Sequence, residues 1–107
     1  MATPEISVQE VKKLLDKGED VYLLDVREPS ELQYSKLEGA ENVPMGQVPQ
    51  RVEEMDPEKR TVVICRSGAR SGEITDYLLG KGFKRVENME GGMNEWARSV
   101  DPSQRTY

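Results

Sequence analysis

The run Thr61-Val62-Val63-Ile64-Cys65 constrains this chain more than any other stretch. It is apolar without alternation, rich in β-branched residues, and stops at the only cysteine. A strand with no polar face has nothing to present to water, so it suits a parallel sheet covered by helices. The loop that follows, Arg66-Ser67-Gly68-Ala69-Arg70-Ser71-Gly72-Glu73, holds two arginines among small residues, and Ile74, Tyr77 and Leu78 then share one face of a helix. A strand entering a helix through such a loop points successive backbone N–H groups inward, and the helix dipole adds partial positive charge. A thiol at the mouth of that cradle ionises readily, because the thiolate is the anion held there. The chemistry is expected at Cys65.

The rest of the chain supplies the sheet and its cover. Pro4 to Ser7 leaves room for a short leading strand. Ser7 and Glu10 fit a capping box, after which Val8, Val11, Leu14 and Leu15 recur at helical spacing as far as Gly18. Val21 to Val26 is a second near-continuous apolar run, and Pro29 suits the first turn of a short helix through Glu31 and Leu32. Within Gly39 to Pro44, Glu41-Asn42-Val43 reads as a short strand. Val48, Val52 and Met55 mark a helix that Asp56-Pro57 ends. The helix after the cysteine loop closes at Gly80-Lys81-Gly82, Arg85 to Met89 is the last strand, and Gly91-Gly92 turns the chain into a helix carrying Trp96. The tail from Asp101 is polar and expected to be irregular. Strands alternating with helices imply an α/β domain with a mainly parallel sheet, in which ligands bind beyond the carboxyl ends of the strands. Cys65 stands at such an end.

Composition narrows the chemistry. The 107 residues are the usual size of one domain, and no repeat or linker divides them. A net charge of −5 argues against nucleic acid as a partner, while Arg66 and Arg70 supply a local basic pocket. A single cysteine excludes an intrachain disulfide and any CxxC redox or zinc pattern, and with no histidine, Ser-His-Asp and Cys-His machinery are impossible. No cofactor or metal is expected. No apolar stretch reaches membrane-spanning length and no charged-then-apolar leader follows Met1, so the expectation is a cytoplasmic protein without membrane partners.

Four segments occur in a familiar order: Leu24-Asp25-Val26-Arg27-Glu28-Pro29, Gly39-Ala40-Glu41-Asn42-Val43-Pro44, Cys65-Arg66-Ser67-Gly68-Ala69-Arg70-Ser71, and Glu90-Gly91-Gly92-Met93 with Trp96. Together they resemble the single-domain rhodaneses over nearly the whole chain. The resemblance implies a five-stranded parallel sheet flanked by helices on both faces. It also implies a cysteine that accepts a sulfane sulfur as a persulfide, from thiosulfate in the family's best-known assay, and hands it to cyanide. One departure is Ser35-Lys36-Leu37-Glu38-Gly39-Ala40, where the family usually carries Gly-His-Ile-Pro-Gly-Ala. The tail from Trp96 to Tyr107 resembles rhodanese domains fused to MoeB/ThiF-type adenylating enzymes, which implies a thiol or sulfur-carrier protein as acceptor in a sulfur relay.

Each residue of the loop then takes an expected role. Cys65 is the nucleophile, and Arg66, Ser67, Gly68, Ala69, Arg70 and Ser71 line the donor site. Arg70 is best placed for the oxyanion end of the donor, because its planar fork matches sulfonate-like oxygens. Arg66 does the same or points to solvent. Ser67 and Ser71 are hydroxyl donors, unless Ser71 is only the helix N-cap, and Gly68 serves a positive φ. Asp25 and Arg27 either stand behind the site or form a structural ion pair, the latter being favoured, and Trp96 reads as core. The acidity of Glu53, Glu54 and Glu58 is that of a solvated face, with docking of a basic carrier the alternative. A cysteine phosphatase or arsenate reductase is disfavoured, since those enzymes use Cys-x₅-Arg where this chain has Cys-x₄-Arg and no aspartate in the loop.

Overall fold

The computed structural model describes residues 2–107. The chain runs β1 (Glu5–Ile6), α1 (Val8–Asp16), β2 (Tyr22–Asp25), β3 (Glu41–Asn42), α2 (Val48–Arg51), β4 (Thr61–Ile64), α3 (Ala69–Gly80), β5 (Val86–Met89) and α4 (Gly92–Ser99). The strands form one parallel sheet in the order β1-β5-β4-β2-β3, which puts β4 at the centre. All four β4 residues are buried, as the unbroken apolar run requires.

Successive side chains of a strand point to opposite faces, and this alternation divides the core in two. Leu23, Val62, Ile64 and Met89 pack with Val8 and Val11 of α1 and with Met93 and Trp96 of α4. Leu24, Val63, Cys65 and Val86 pack with Val48 of α2 and with Ile74 and Leu78 of α3. Helices therefore cover both faces, and Trp96 is core, 5 % exposed.

Local signals set most of the boundaries. Ser7 caps α1, its Oγ accepting from the Glu10 N–H at 3.1 Å. Pro29 opens a helical turn over Pro29–Gln33, which is 3₁₀ and not α. The segment expected as one helix through Val48, Val52 and Met55 is instead a relay: a 3₁₀ turn at Met45–Gln47, α2, and a second 3₁₀ turn at Val52–Glu54. Pro49 lacks the N–H that would continue an α-ladder backwards through this segment. The tail after α4 has no regular secondary structure yet is pinned. The Lys36 N–H donates to Gln104 Oε1 at 2.6 Å, and the Arg105 N–H to the Tyr34 carbonyl at 3.2 Å.

A buried ion pair stands at the end of β2. Arg27 is 0 % exposed, and its Nη2 lies 2.7 Å from Asp25 Oδ2. The same guanidinium donates to the Ser35 carbonyl at 2.9 Å and to Ser35 Oγ at 3.3 Å, so the pair ties the loop after β2 to the sheet. Removing one member leaves a buried charge without its counterion, which typically costs about 3–5 kcal/mol. Asp25→Ala should therefore destabilise the fold by about that amount. The double change Asp25→Ala with Arg27→Leu should recover part of the loss, both read from urea unfolding.

Candidate active site

The cysteine loop is held by its carbonyls. The first two helical N–H groups after Gly92 are spoken for: that of Met93 donates to the Cys65 carbonyl at 2.9 Å, and that of Asn94 to the Arg66 carbonyl at 3.1 Å. The Gly68 carbonyl accepts from Gly72 N–H at 3.0 Å and from Asn88 Nδ2 at 3.1 Å. With these carbonyls turned away, the N–H groups of the loop are left for the sulfur. Two glycines make the arrangement feasible. Gly68, at the N-cap of α3, has φ +109°, and Gly92 has φ +62° with a Cβ position only 2.5 Å from the Cys65 and Arg66 carbonyl oxygens.

Cys65 is 1 % exposed. Its Sγ accepts from Gly68 N–H at 3.0 Å and from Ser71 Oγ at 3.1 Å. Burial pushes the thiol up, but the Ser71 hydroxyl and the N–H groups of Ser71, Gly68 and Ser67 outweigh it and hold it below its ordinary value. Ser71 lies in the first turn of α3 and is not its N-cap; Gly68 is. Ser71 Oγ is also 2.5 Å from Asn88 Oδ1. A hydroxyl has one hydrogen, so Ser71 donates to only one of these two acceptors at a time.

The two arginines are disposed differently. Arg66 is exposed, with its guanidinium carbon 5.0 Å from the centroid of the Tyr107 ring. Arg70 gives both terminal nitrogens to Glu31, at 2.7 and 2.8 Å, where a free fork was expected. Glu31 also accepts from the Tyr107 hydroxyl at 2.8 Å and from Glu28 N–H at 2.8 Å. Arg70 above all holds the Glu31 carboxyl down at about 2, against the upward push of burial, and Glu31 in turn raises Arg70. An ionised Cys65 adds to the raising of Arg70, after Glu31. Asp25 and Arg27 do not hydrogen-bond the sulfur; Arg27 Nη1 donates to the Tyr107 hydroxyl at 3.0 Å, which donates to Glu31, the partner of Arg70. Ala69 is exposed and opens α3.

The profile of the rhodanese-like domain matches residues 7–99. This chain belongs to the rhodanese-like family. YtwF of Bacillus subtilis is 40 % identical over 102 residues, covering 95 % of this chain and 98 % of that protein. A sulfurtransferase of Allochromatium vinosum is 38 % identical over 94 residues, 88 % of each chain. The crystal structure of SSP1007 from Staphylococcus saprophyticus superposes with a TM-score of 0.83 at 30 % identity, covering 92 % of this chain and 97 % of that one.

Four residues of this candidate site in the rhodanese-like chain were not singled out from the sequence. Glu31 reads as a mere helix member, yet its place one turn after a strand's carboxyl end was a signal. Tyr107 is the one aromatic in a polar tail. Asn88 interrupts a strand and Asn94 follows the paired glycines, both polar and both buried, 3 % and 8 % exposed.

Two outcomes follow from this geometry. Gly92→Ala forces its Cβ against backbone at a positive φ, so it should cost about 1–3 kcal/mol and raise the Cys65 pKa, as read by thermal unfolding and by alkylation against pH. A carboxyl at about 2 in place of 4.5 stabilises the fold at pH values above 4.5, a contribution lost as pH falls towards 2. Glu31→Gln should therefore lower stability at pH 7 by roughly 2 kcal/mol, a figure reduced for the partial exposure of Arg70. The gap to the wild type should close between pH 4.5 and 2 in urea titrations, the range over which the carboxyl protonates.

Proposed function

We propose that this rhodanese-like protein transfers a sulfane sulfur as a Cys65 persulfide. The donor is thiosulfate or another small anionic persulfide-type species, and the acceptor is cyanide, a thiol or a sulfur-carrier protein. The observation that carries this reading is a buried thiol whose hydrogen-bond partners are donors, Gly68 N–H at 3.0 Å and the Ser71 hydroxyl at 3.1 Å.

The steps balance without a general base. The Cys65 thiolate attacks the outer sulfur of thiosulfate, the sulfur–sulfur bond breaks, and sulfite leaves with the electron pair. The Cys65 persulfide is an anion too, and the inward N–H groups of the loop stabilise it as they did the thiolate. Cyanide or a thiolate, small or borne by a carrier protein, then attacks the outer sulfur, the bond between the two sulfurs breaks, and the Cys65 thiolate is released. The arginines serve the negative charge of the donor, Arg66 freely and Arg70 with the N–H groups that Glu31 leaves over. A free thiolate that must escape oxidation between cycles suits a reducing compartment, which favours the cytoplasm.

Phosphoryl or arsenate chemistry is a weaker fit. It needs a wider ring of amides around several oxygens and an acid for the leaving group, while this loop is one residue short and holds no aspartate.

Cys65→Ser should abolish thiosulfate:cyanide transfer with the unfolding midpoint little changed, because an alcohol neither ionises near neutral pH nor carries a persulfide. Turnover by the folded variant would refute the mechanism. In the wild type, iodoacetamide alkylation of Cys65 should show a midpoint below the ordinary thiol value of about 8.5.

A further inference from the structure

Several contacts converge on Tyr107. Its backbone is clamped by Asn94, which accepts the Tyr107 N–H on Oδ1 at 3.1 Å and donates from Nδ2 to the Tyr107 carbonyl at 3.0 Å. The same Asn94 gives its own N–H to the Arg66 carbonyl at 3.1 Å, so one residue fixes the tail and the cysteine loop together. The Tyr107 ring stacks on Tyr34, centroids 4.8 Å apart, and the Arg66 guanidinium sits over it. The Tyr107 hydroxyl donates to Glu31 at 2.8 Å and accepts from Arg27 at 3.0 Å.

A tail tyrosine that merely covers apolar surface needs only the Tyr34 stack. Here the ring and the hydroxyl each reach a different loop arginine, Arg66 directly and Arg70 through Glu31. Asp25 neutralises Arg27 and Glu31 neutralises Arg70, whereas Arg66 forms no ion pair among the described residues. Arg70 Nε likewise has no hydrogen-bond partner among them. An incoming anion therefore meets the Arg66 guanidinium and the uncommitted edge of Arg70. Arginine carries much rotamer freedom, and holding it before the ligand arrives lowers the ordering cost of binding. A cation–π contact fixes Arg66 without cancelling its charge.

We propose that Tyr107 is a positioning residue of the donor site, its ring holding Arg66 and its hydroxyl holding Glu31 and thereby Arg70, so that both cations stand ready for an anionic sulfur donor. The nature of that donor rests on the sulfurtransferase reading. The arginine field does not, and can be measured without sulfur transfer.

The test compares alkylation of Cys65 by iodoacetate, an anion, and by iodoacetamide, its neutral analogue, at one pH above the thiolate midpoint. The ratio of the two rate constants cancels thiolate fraction and access, and leaves the electrostatic preference of the mouth. Arg66→Ala sets the scale; one cation several ångströms from the sulfur in a wet site is worth about threefold in the ratio. Tyr107→Leu should lower the ratio most of the way to the Arg66→Ala value. Tyr107→Phe keeps the ring and the Tyr34 stack and should lower it less, and it alone decides should the leucine variant not fold. A ratio unchanged in the folded variants, or raised, overturns the proposal. A wild type whose Cys65 takes up no extra sulfur from either thiosulfate or a small-molecule persulfide, while the ratio falls as stated, would refute the sulfurtransferase reading and leave this one standing.

Discussion

A sulfur as buried as that of Cys65 has lost its water, and everything around it follows from replacing that water with donors. Backbone N–H groups can converge on one atom only if the carbonyls of the same loop find partners elsewhere. The start of α4 provides them, with Met93 and Asn94 taking the Cys65 and Arg66 carbonyls. That docking requires the backbones to meet at Gly92, where a side chain would strike both carbonyl oxygens at 2.5 Å. The cradle is thus made by two helices. α3 contributes its N-terminal amides and Ser71, and α4 turns the loop to face inward.

The charges form a second layer with its own logic. Asp25, Arg27, Tyr107, Glu31 and Arg70 are linked in an unbroken chain of hydrogen bonds from the buried end of β2 to the mouth of the site. Within this chain the carboxylates and guanidiniums pair off. The net positive field offered to a ligand is consequently much smaller than two arginines in a seven-residue motif suggest. In this arrangement directed N–H groups outweigh bulk charge at the sulfur.

Much of the fold was legible in the sequence because it rests on local periodicity. The unalternating runs at Val21–Val26 and Thr61–Cys65 suited buried parallel strands, and they form the interior strands β2 and β4 of the sheet. The capping box at Ser7 gave the start of α1 correctly. Predictions slipped where short-range rules compete. The Val48–Met55 segment carries helical spacing, but Pro49 and its short length break it into 3₁₀ and α pieces. Ser71 looked equally fit for an N-cap, and only the left-handed turn at Gly68 settles where α3 begins.

The sequence by itself determined the candidate nucleophile's place: one cysteine, at the carboxyl end of a buried strand, followed by residues small enough to let amides approach. Those facts concern neighbours along the chain, and spacing encodes them. The tertiary structure alone decided what surrounds the arginines. Glu31 lies 39 residues from Arg70 and Tyr107 lies 76 from Glu31, separations across which no periodicity operates. Their meeting depends on how the 3₁₀ turn after β2 and the tail after α4 fold back over the same strand ends, and packing sets that outcome.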